Sequence, residues 1–170
     1  MSAVQYLYQR HIAHQDIKLE NNLIDNTGNI KLLDFGMATQ LAEGQMLQEG
    51  CGPLLYMVPD ILAGKPYDAL AGDMWSMGIL LYVLVTGHFP YEETTAHALY
   101  WLITHTKLAI PYHLSTPCHT IIARLLLPAP RHRLTICEVL ESSWLGHIEE
   151  ACISSKQINP SKDHRDYENN

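Results

Sequence analysis

The sequence predicts a mainly α fold of the α+β class, with one small β-hairpin ahead of a set of helices. Three observations predict it. Two short apolar segments, Leu23-Ile24 and Ile30 to Leu33, flank DNTGN, whose Asn26, Gly28 and Asn29 tolerate positive φ. From about Ala71 the patterning becomes helical, led by Asp73 to Val85, apolar almost all round and so expected at the centre. Between the two, residues 37 to 57 lack sustained periodicity and carry Gly44, Gly50, Gly52 and Pro53, which reads as a long irregular segment with a functional reason for its length.

In chain order, Ala3 to His11 comes first, with Val4, Leu7, Tyr8 and more weakly Ala3 at helical spacing and no capping residue at its start. The hairpin and the irregular segment follow. Gly87 and Pro90 end the central helix, and Thr95 to Thr106, Cys118 to Leu127 and Thr135 to Glu141 read as further helices. Pro111, Pro117, Pro128 and Pro130 fall in their connections. Beyond His147 the chain is polar, SSKQINPSKDHRDYENN, which reads as a disordered tail. Residues 1–146 therefore read as one domain and 147–170 as a tail, with no repeats.

Composition narrows the function. At 170 residues, 47% of them apolar, the chain has the bulk for one core. A net charge of -7 argues against nucleic acid and anionic membrane as partners, since both favour basic surfaces. The start, MSAVQYLYQRH, lacks the pattern of a signal peptide. The most apolar run, Met74 to Val85, is twelve residues with Ser76 and Gly78 inside it, short for a bilayer span. A soluble, intracellular, cytoplasmic protein is expected. Cys51, Cys118, Cys137 and Cys152 are scattered without a C-x-x-C and read as mostly buried free thiols. Ten histidines form neither H-x-x-x-H nor H-E-x-x-H, so no histidine-based metal site is expected.

The chemistry lies in an ordered set of motifs. HQDIKLEN spans 14 to 21, DFG follows eighteen residues after Asp16, and VPD, DMWSMG and PRHRLT come later. In this order and spacing they resemble the protein kinases from about Ala3 to Leu145. The Asp-x-Lys-x-x-Asn form of Asp16, Lys18 and Asn21 points to Ser/Thr specificity. The stretch YDALAGDMWSMGILLYVLVTGHFPY is similar to the calmodulin-dependent and AMP-activated groups, including microtubule affinity-regulating and sperm motility kinases. The resemblance implies the C-terminal lobe of a kinase, with a hairpin beside the catalytic loop and the N-terminal lobe absent.

It also implies ATP and Mg2+ as cofactors and a protein substrate or partner, and leaves the oligomeric state open. Asp16 would accept or orient the substrate hydroxyl proton, and Lys18 would meet the γ-phosphate as a point charge. Asn21 and Asp34 would supply hard oxygen ligands for magnesium, and Leu23 an apolar floor under adenine. Among architectural positions, His14 would brace the loop against Phe35, within the triplet that Gly36 completes. Asp73 would accept backbone hydrogen bonds from the catalytic loop. Asp60 and Arg133 match an ion pair whose acid is Glu in the family, so here it would form with strain or through water.

Four departures bear on activity. In the family a Gly-rich loop, a strand Lys and a helix Glu precede the catalytic loop, but thirteen residues precede His14 and no G-x-G-x-x-G occurs. Transfer by the chain as written is therefore expected to be weak or absent. The usual His-Arg-Asp is His14-Gln15-Asp16, and LQEGCGP puts Glu49 where related kinases carry a phosphothreonine that pairs with the Arg. Gln15 and Glu49 read either as a phosphate-independent substitute joined by one hydrogen bond or as drift after activation ceased to matter. Pro53 replaces a hydroxyl residue, and Ala129 a capping Asp or Asn. Three functions follow: a kinase-derived chain with little activity alone, an active Ser/Thr kinase read incompletely from a longer gene, or a pseudokinase-like binding module. An apolar face left open where the missing lobe would sit is expected as well.

Overall fold

The structure is a computed structural model that describes residues 2–145. The expected tail, the boundary at 146/147 and Cys152 lie outside the described residues. Among the described residues, six α-helices and four short strands run in the order α1 (Ser2–Tyr8), β1 (Ile12–Ala13), β2 (Asn22–Ile24), β3 (Ile30–Leu32), β4 (Thr39–Gln40), α2 (Pro59–Leu62), α3 (Ala69–Thr86), α4 (Ala96–His105), α5 (Thr116–Leu125) and α6 (Ile136–Leu140).

The hairpin forms antiparallel, with Asn22 opposite Leu32, Leu23 opposite Lys31 and Ile24 opposite Ile30. Its turn works differently from the sequence expectation. Only Gly28 takes a positive φ, at 84°, while Asn26 and Asn29 do not. The organiser is Asp25, whose Oδ1 accepts from the Thr27 amide (2.9 Å), the Thr27 hydroxyl (2.7 Å) and the Asn29 amide (2.9 Å). These bonds hold the Asp25 carboxyl down at about 2.

A second sheet, unseen in the sequence, pairs β1 with β4: Ile12 opposite Gln40 and Ala13 opposite Thr39. Two-residue strands are too short to show alternation. They nevertheless tie the supposedly irregular 37–57 segment to the start of loop 14–21. Leu47 and Tyr67 add an isolated bridge, their amides and carbonyls exchanging two bonds of 2.9 Å.

The central helix α3 begins before Ala71 because Asp68 caps it, accepting from the Leu70 amide at 3.0 Å and the Ala71 amide at 3.2 Å. It ends at Gly87, whose φ of 81° lets its amide reach the Val83 carbonyl at 2.8 Å. At eighteen residues it is long and apolar enough to cross a membrane, unlike the twelve-residue run read from sequence. Here it serves as the core. Trp75, Ile79 and Tyr82 pack with Tyr91, Leu99, Ile103 and Ile122. Met74 and Met77 pack with Ile17, Ile121, Leu125, Ile136 and Val139. Burial is not all round, since Leu84 is 59% exposed.

The three helices after α3 start at hydroxyl caps. Thr95 accepts from the Ala98 amide, Ser115 from the Cys118 amide, and Thr135 forms a capping box with Glu138. Pro117, expected in a connection, occupies the first turn of α5, where its missing N–H has no helical partner to lose. Cys118 is buried and Cys51 half-buried, but Cys137 is exposed against expectation, and all three are free.

The closest constraint in the core is Gly78 on α3. A Cβ built there would lie 2.8 Å from Leu125 Cβ and 2.8 Å from a Leu126 methyl. Gly78→Ala is expected to destabilise the protein despite alanine's helix-propensity advantage of about 1 kcal/mol, because overpacking costs about 1–3 kcal/mol. Urea denaturation should show a lower midpoint; an unchanged or higher one would contradict this packing.

Candidate active site

Loop 14–21 is held from below by one carboxylate. Asp73, on the first half of α3 and only 5% exposed, accepts from the His14 amide at 2.6 Å and from the Gln15 amide at 2.8 Å. Two consecutive amides converge on it as the chain turns, with Gln15 at a φ of 65° in the left-handed region. Burial pushes the Asp73 carboxyl up to about 7, against the pull of the two donated bonds.

His14 is fully buried and joins the loop to the end of β3. An amide can only donate, so Nδ1 accepts from the Asp16 amide at 3.2 Å, and Nε2 carries the proton and donates to the Leu33 carbonyl at 3.0 Å. Its ring meets Phe35 edge-on, with centroids 4.9 Å apart.

Asp16, Lys18 and Asn21 form one cluster. The Lys18 ammonium donates to both oxygens of Asp16, at 2.9 and 2.7 Å. Asn21 Nδ2 donates to the Asp16 carbonyl and to its Oδ2, both at 2.8 Å. That leaves Asn21 Oδ1 without a donor among the described residues. The bond to Asp16 is the main reason the Lys18 amine is raised above its ordinary value. Attraction to Asp16, Glu20 and Asp34 adds to it, while partial desolvation opposes. Among the described residues only Asp16 bonds to the ammonium, and Glu20 and Asp34 act on it through space.

Asp34 is exposed and sits at a φ of 57°. Its Oδ1 accepts from the Gly36 amide at 3.1 Å, while Oδ2 has no donor among the described residues. Leu23 is 55% exposed, and Ile24, Ile30, Leu33, Phe35 and Met37 are exposed as well; in the hairpin Leu23 faces away from the Ile24–Ile30 pair. Pro53 is exposed. Its carbonyl receives the Tyr56 amide at 3.0 Å, and no bond joins it to Asp16 or Lys18. Tyr56 in turn accepts the Leu19 amide at its hydroxyl, 3.3 Å away.

Two pairings that the sequence raised, one of them as one of two alternatives, are not made among the described residues. The Gln15 side chain does not bond to the Glu49 carboxylate, which is exposed. Gln15 Nε2 donates instead to the Met37 carbonyl (2.9 Å) and Thr39 Oγ1 (2.8 Å), and Oε1 accepts from the Tyr67 hydroxyl at 2.7 Å. Asp60 and Arg133 form no ion pair either. The carboxylate, one methylene shorter than glutamate, leaves a buried Oδ2 with no partner among the described residues. Arg133 is buried among carbonyls, donating to Ala71 at 2.6 Å and to Leu127 and Pro128 at 3.1 Å, with its guanidinium 5.2 Å from the Trp75 ring centroid. Burial lowers it to about 10, with Asp60 and then Asp68 pulling upward. Ala129 starts the turn Pro130–His132 with no side-chain cap.

The residues missed from sequence are Thr39, Cys51 and Tyr67, the partners of Gln15. They sit far apart in the chain, and no spacing rule links them.

The sequence pattern of the protein kinase domain matches residues 1–145. The chain is 40% identical to CBL-interacting protein kinase 9 of Oryza sativa subsp. japonica over 147 residues, covering 85% of this chain and 32% of that protein. It is 38% identical to serine/threonine-protein kinase SIK2 of Gallus gallus over 145 residues, 85% of this chain and 18% of that protein. CBL-interacting protein kinase 31 of rice is 38% identical over 147 residues, 85% and 33% respectively. The chain thus spans a third or less of the length of these curated relatives.

Asp73→Asn replaces an acceptor by a donor opposite a backbone amide and should destabilise the protein by about 1–3 kcal/mol. The same group sets a pH dependence. Its folded value near 7 lies above the ordinary 3.8, so the folded state holds the proton longer, and stability falls as pH rises between about 4 and 7. Denaturation across that range should show the decline in the natural chain and a flatter profile in Asp73→Asn; identical slopes would contradict the assignment.

Proposed function

The chain belongs to the protein kinase family, and from that premise we propose that residues 14–36 form the phosphate-transfer half of a Ser/Thr kinase site, which uses Mg-ATP and a protein hydroxyl as substrates. The observation that carries this is the Asp16 carboxylate, clamped by the Lys18 ammonium on both oxygens and by the Asn21 amide on one. A carboxylate, an ammonium and an amide oxygen thus lie side by side, which supports the reading because phosphoryl transfer depends chiefly on positioning and charge neutralisation.

In the proposed reaction the substrate hydroxyl oxygen attacks the γ-phosphorus, the bond to the bridging oxygen breaks, and ADP leaves. Asp16 takes or orients the hydroxyl proton. Lys18 is the nearest cation, and a γ-phosphate would compete with Asp16 for it. That exchange frees an Asp16 oxygen for the incoming hydroxyl at the moment the phosphate is engaged. Asn21 Oδ1 and Asp34 Oδ2, both hard oxygens without donors among the described residues, fit magnesium and would hold it. When bound, the metal neutralises charge on the phosphate oxygens. The exposed Leu23 offers apolar surface to the adenine.

None of the 170 residues forms a glycine-rich phosphate lid, so transfer by this stretch assayed alone is proposed to be slow. In a longer chain that supplies the lid, the same cluster would support ordinary transfer. A second reading has its own support: the paired Ile24 and Ile30 of the hairpin are 73% and 65% exposed, and apolar side chains open on one face suit a protein partner whether or not phosphate is transferred.

Phosphorylation of a Ser/Thr peptide with Mg-ATP tests the site. Asp16→Asn should lower the rate by about 100-fold or more, and Asp34→Ala should remove the thermal stabilisation given by Mg-ATP. A rate indifferent to Asp16→Asn, or a nucleotide shift that survives Asp34→Ala, would sink the reading. Capture of a partner independent of nucleotide would favour the binding role.

A further inference from the structure

We propose that Gln15 and Tyr67 are positioning residues, whose neutral hydrogen-bond lock holds segment 37–51 against the catalytic loop without any phosphate. The proposal rests on the functional reading above for its purpose, since the segment it orders flanks Asp16, but its geometry stands independently.

Every hydrogen-bonding position of the Gln15 amide is used. Nε2 donates to the Met37 carbonyl and to Thr39 Oγ1, and Oε1 accepts from the Tyr67 hydroxyl and from the Cys51 thiol at 3.6 Å. The orientation of the amide is dictated by Met37, because a carbonyl there can face only a donor. Gln15 is held from its other end by its own amide on Asp73. Tyr67 is likewise gripped twice, by the backbone bridge to Leu47 and by its hydroxyl, which also lies 3.3 Å from the Glu49 carbonyl. Burial, with Cys51 and Asp73 adding to it, pushes that hydroxyl up to about 12, so it remains a donor throughout the physiological range. The lock touches the segment at Met37, Thr39, Leu47, Glu49 and Cys51.

Its chemistry selects a neutral amide. An arginine at 15 would offer donors only, so the 2.7 Å bond that the Tyr67 hydroxyl gives to Oε1 would be lost, leaving that hydroxyl only the longer contact to the Glu49 carbonyl. A glutamate would set a carboxylate against the Met37 carbonyl. The one acid near the usual phosphate position, Glu49, contributes its backbone carbonyl while its carboxylate stays exposed. Segment order is therefore built in rather than switched on.

Hydrogen exchange of the full chain tests this without nucleotide, so a chain that transfers no phosphate still reports on the lock. The probes are the Leu41 amide, bonded to the His11 carbonyl at 2.7 Å, and the Leu47 amide. Tyr67→Phe and Gln15→Met keep the shape and remove the hydrogen bonds; each should accelerate exchange at both amides about tenfold. The Leu126 amide, bonded to Ile122 beyond the core helix, should be unaffected. Phosphatase treatment of the natural chain should leave all rates unchanged. The proposal is overturned if the two variants leave Leu41 and Leu47 unaltered, if Leu126 accelerates equally, or if phosphatase loosens the segment.

Discussion

The buried carboxylate of Asp73 is the point from which the rest of the site takes its position. A carboxylate in a core is tolerated only when donors satisfy it, and here both donors are backbone amides of the loop proposed to carry the chemistry. Those amides can reach one side chain only if the chain turns sharply, which accounts for the left-handed φ at Gln15. Strain of that kind persists because its surroundings over-determine it. The surroundings are α3 itself, fixed by Trp75 and Ile79 on one flank, by Met74 and Met77 on the other, and by the close approach of α5 at Gly78.

The electrostatics of the site run opposite to those of the scaffold. The Lys18 ammonium is engaged by Asp16, and Glu20 and Asp34 also act on it through space, a local surplus of negative charge that would repel a bare polyphosphate. A site of this composition needs further positive charge from its substrate complex, which agrees with the proposed use of a divalent metal. Arg133, by contrast, is a cation without an ion pair among the described residues. It is surrounded by the carbonyls of Ala71, Leu127 and Pro128 and so fastens the end of α5 to the start of α3. The same side chain read from sequence as half of an ion pair works as a donor to backbone, and the shortened Asp60 is left with an unpaired buried oxygen.

What could be read from the sequence was what repeats locally. The four long helical patterns, their terminal Gly87 and Thr95, and the hairpin around DNTGN depend on neighbours within a few residues, and each is present in the fold. What could not be read depends on pairs far apart in the chain. The β1–β4 ladder joins residues 27 or so apart through two-residue strands too short to alternate. Gln15 was legible as a departure from a motif, but its partners Thr39, Cys51 and Tyr67 were not, because a neutral amide carries no charge by which to match it. Asp25 was overlooked for the opposite reason: Gly28 announces the turn, while the acid that organises it looks like an ordinary polar residue. The cluster of Asp16, Lys18 and Asn21 was visible because its members lie within six residues.

Asp34 shows how far the influence of one carboxylate extends. It lies on the surface, at a left-handed φ, with a single local bond to Gly36, so its own neighbourhood does little to place it. The residues on either side are placed. The Leu33 carbonyl takes the proton of His14 Nε2, and the Phe35 ring rests against the His14 imidazole. His14 is in turn the residue whose amide is held by Asp73. Asn21, the other proposed metal ligand, is referenced to Asp16, which is bonded to His14 Nδ1 through its amide. The two proposed ligands come from different elements, yet each is linked through His14 to the same buried oxygen pair. A disturbance at Asp73 would therefore displace both together, whereas one at Phe35 would loosen Asp34 and leave Asn21 where it is.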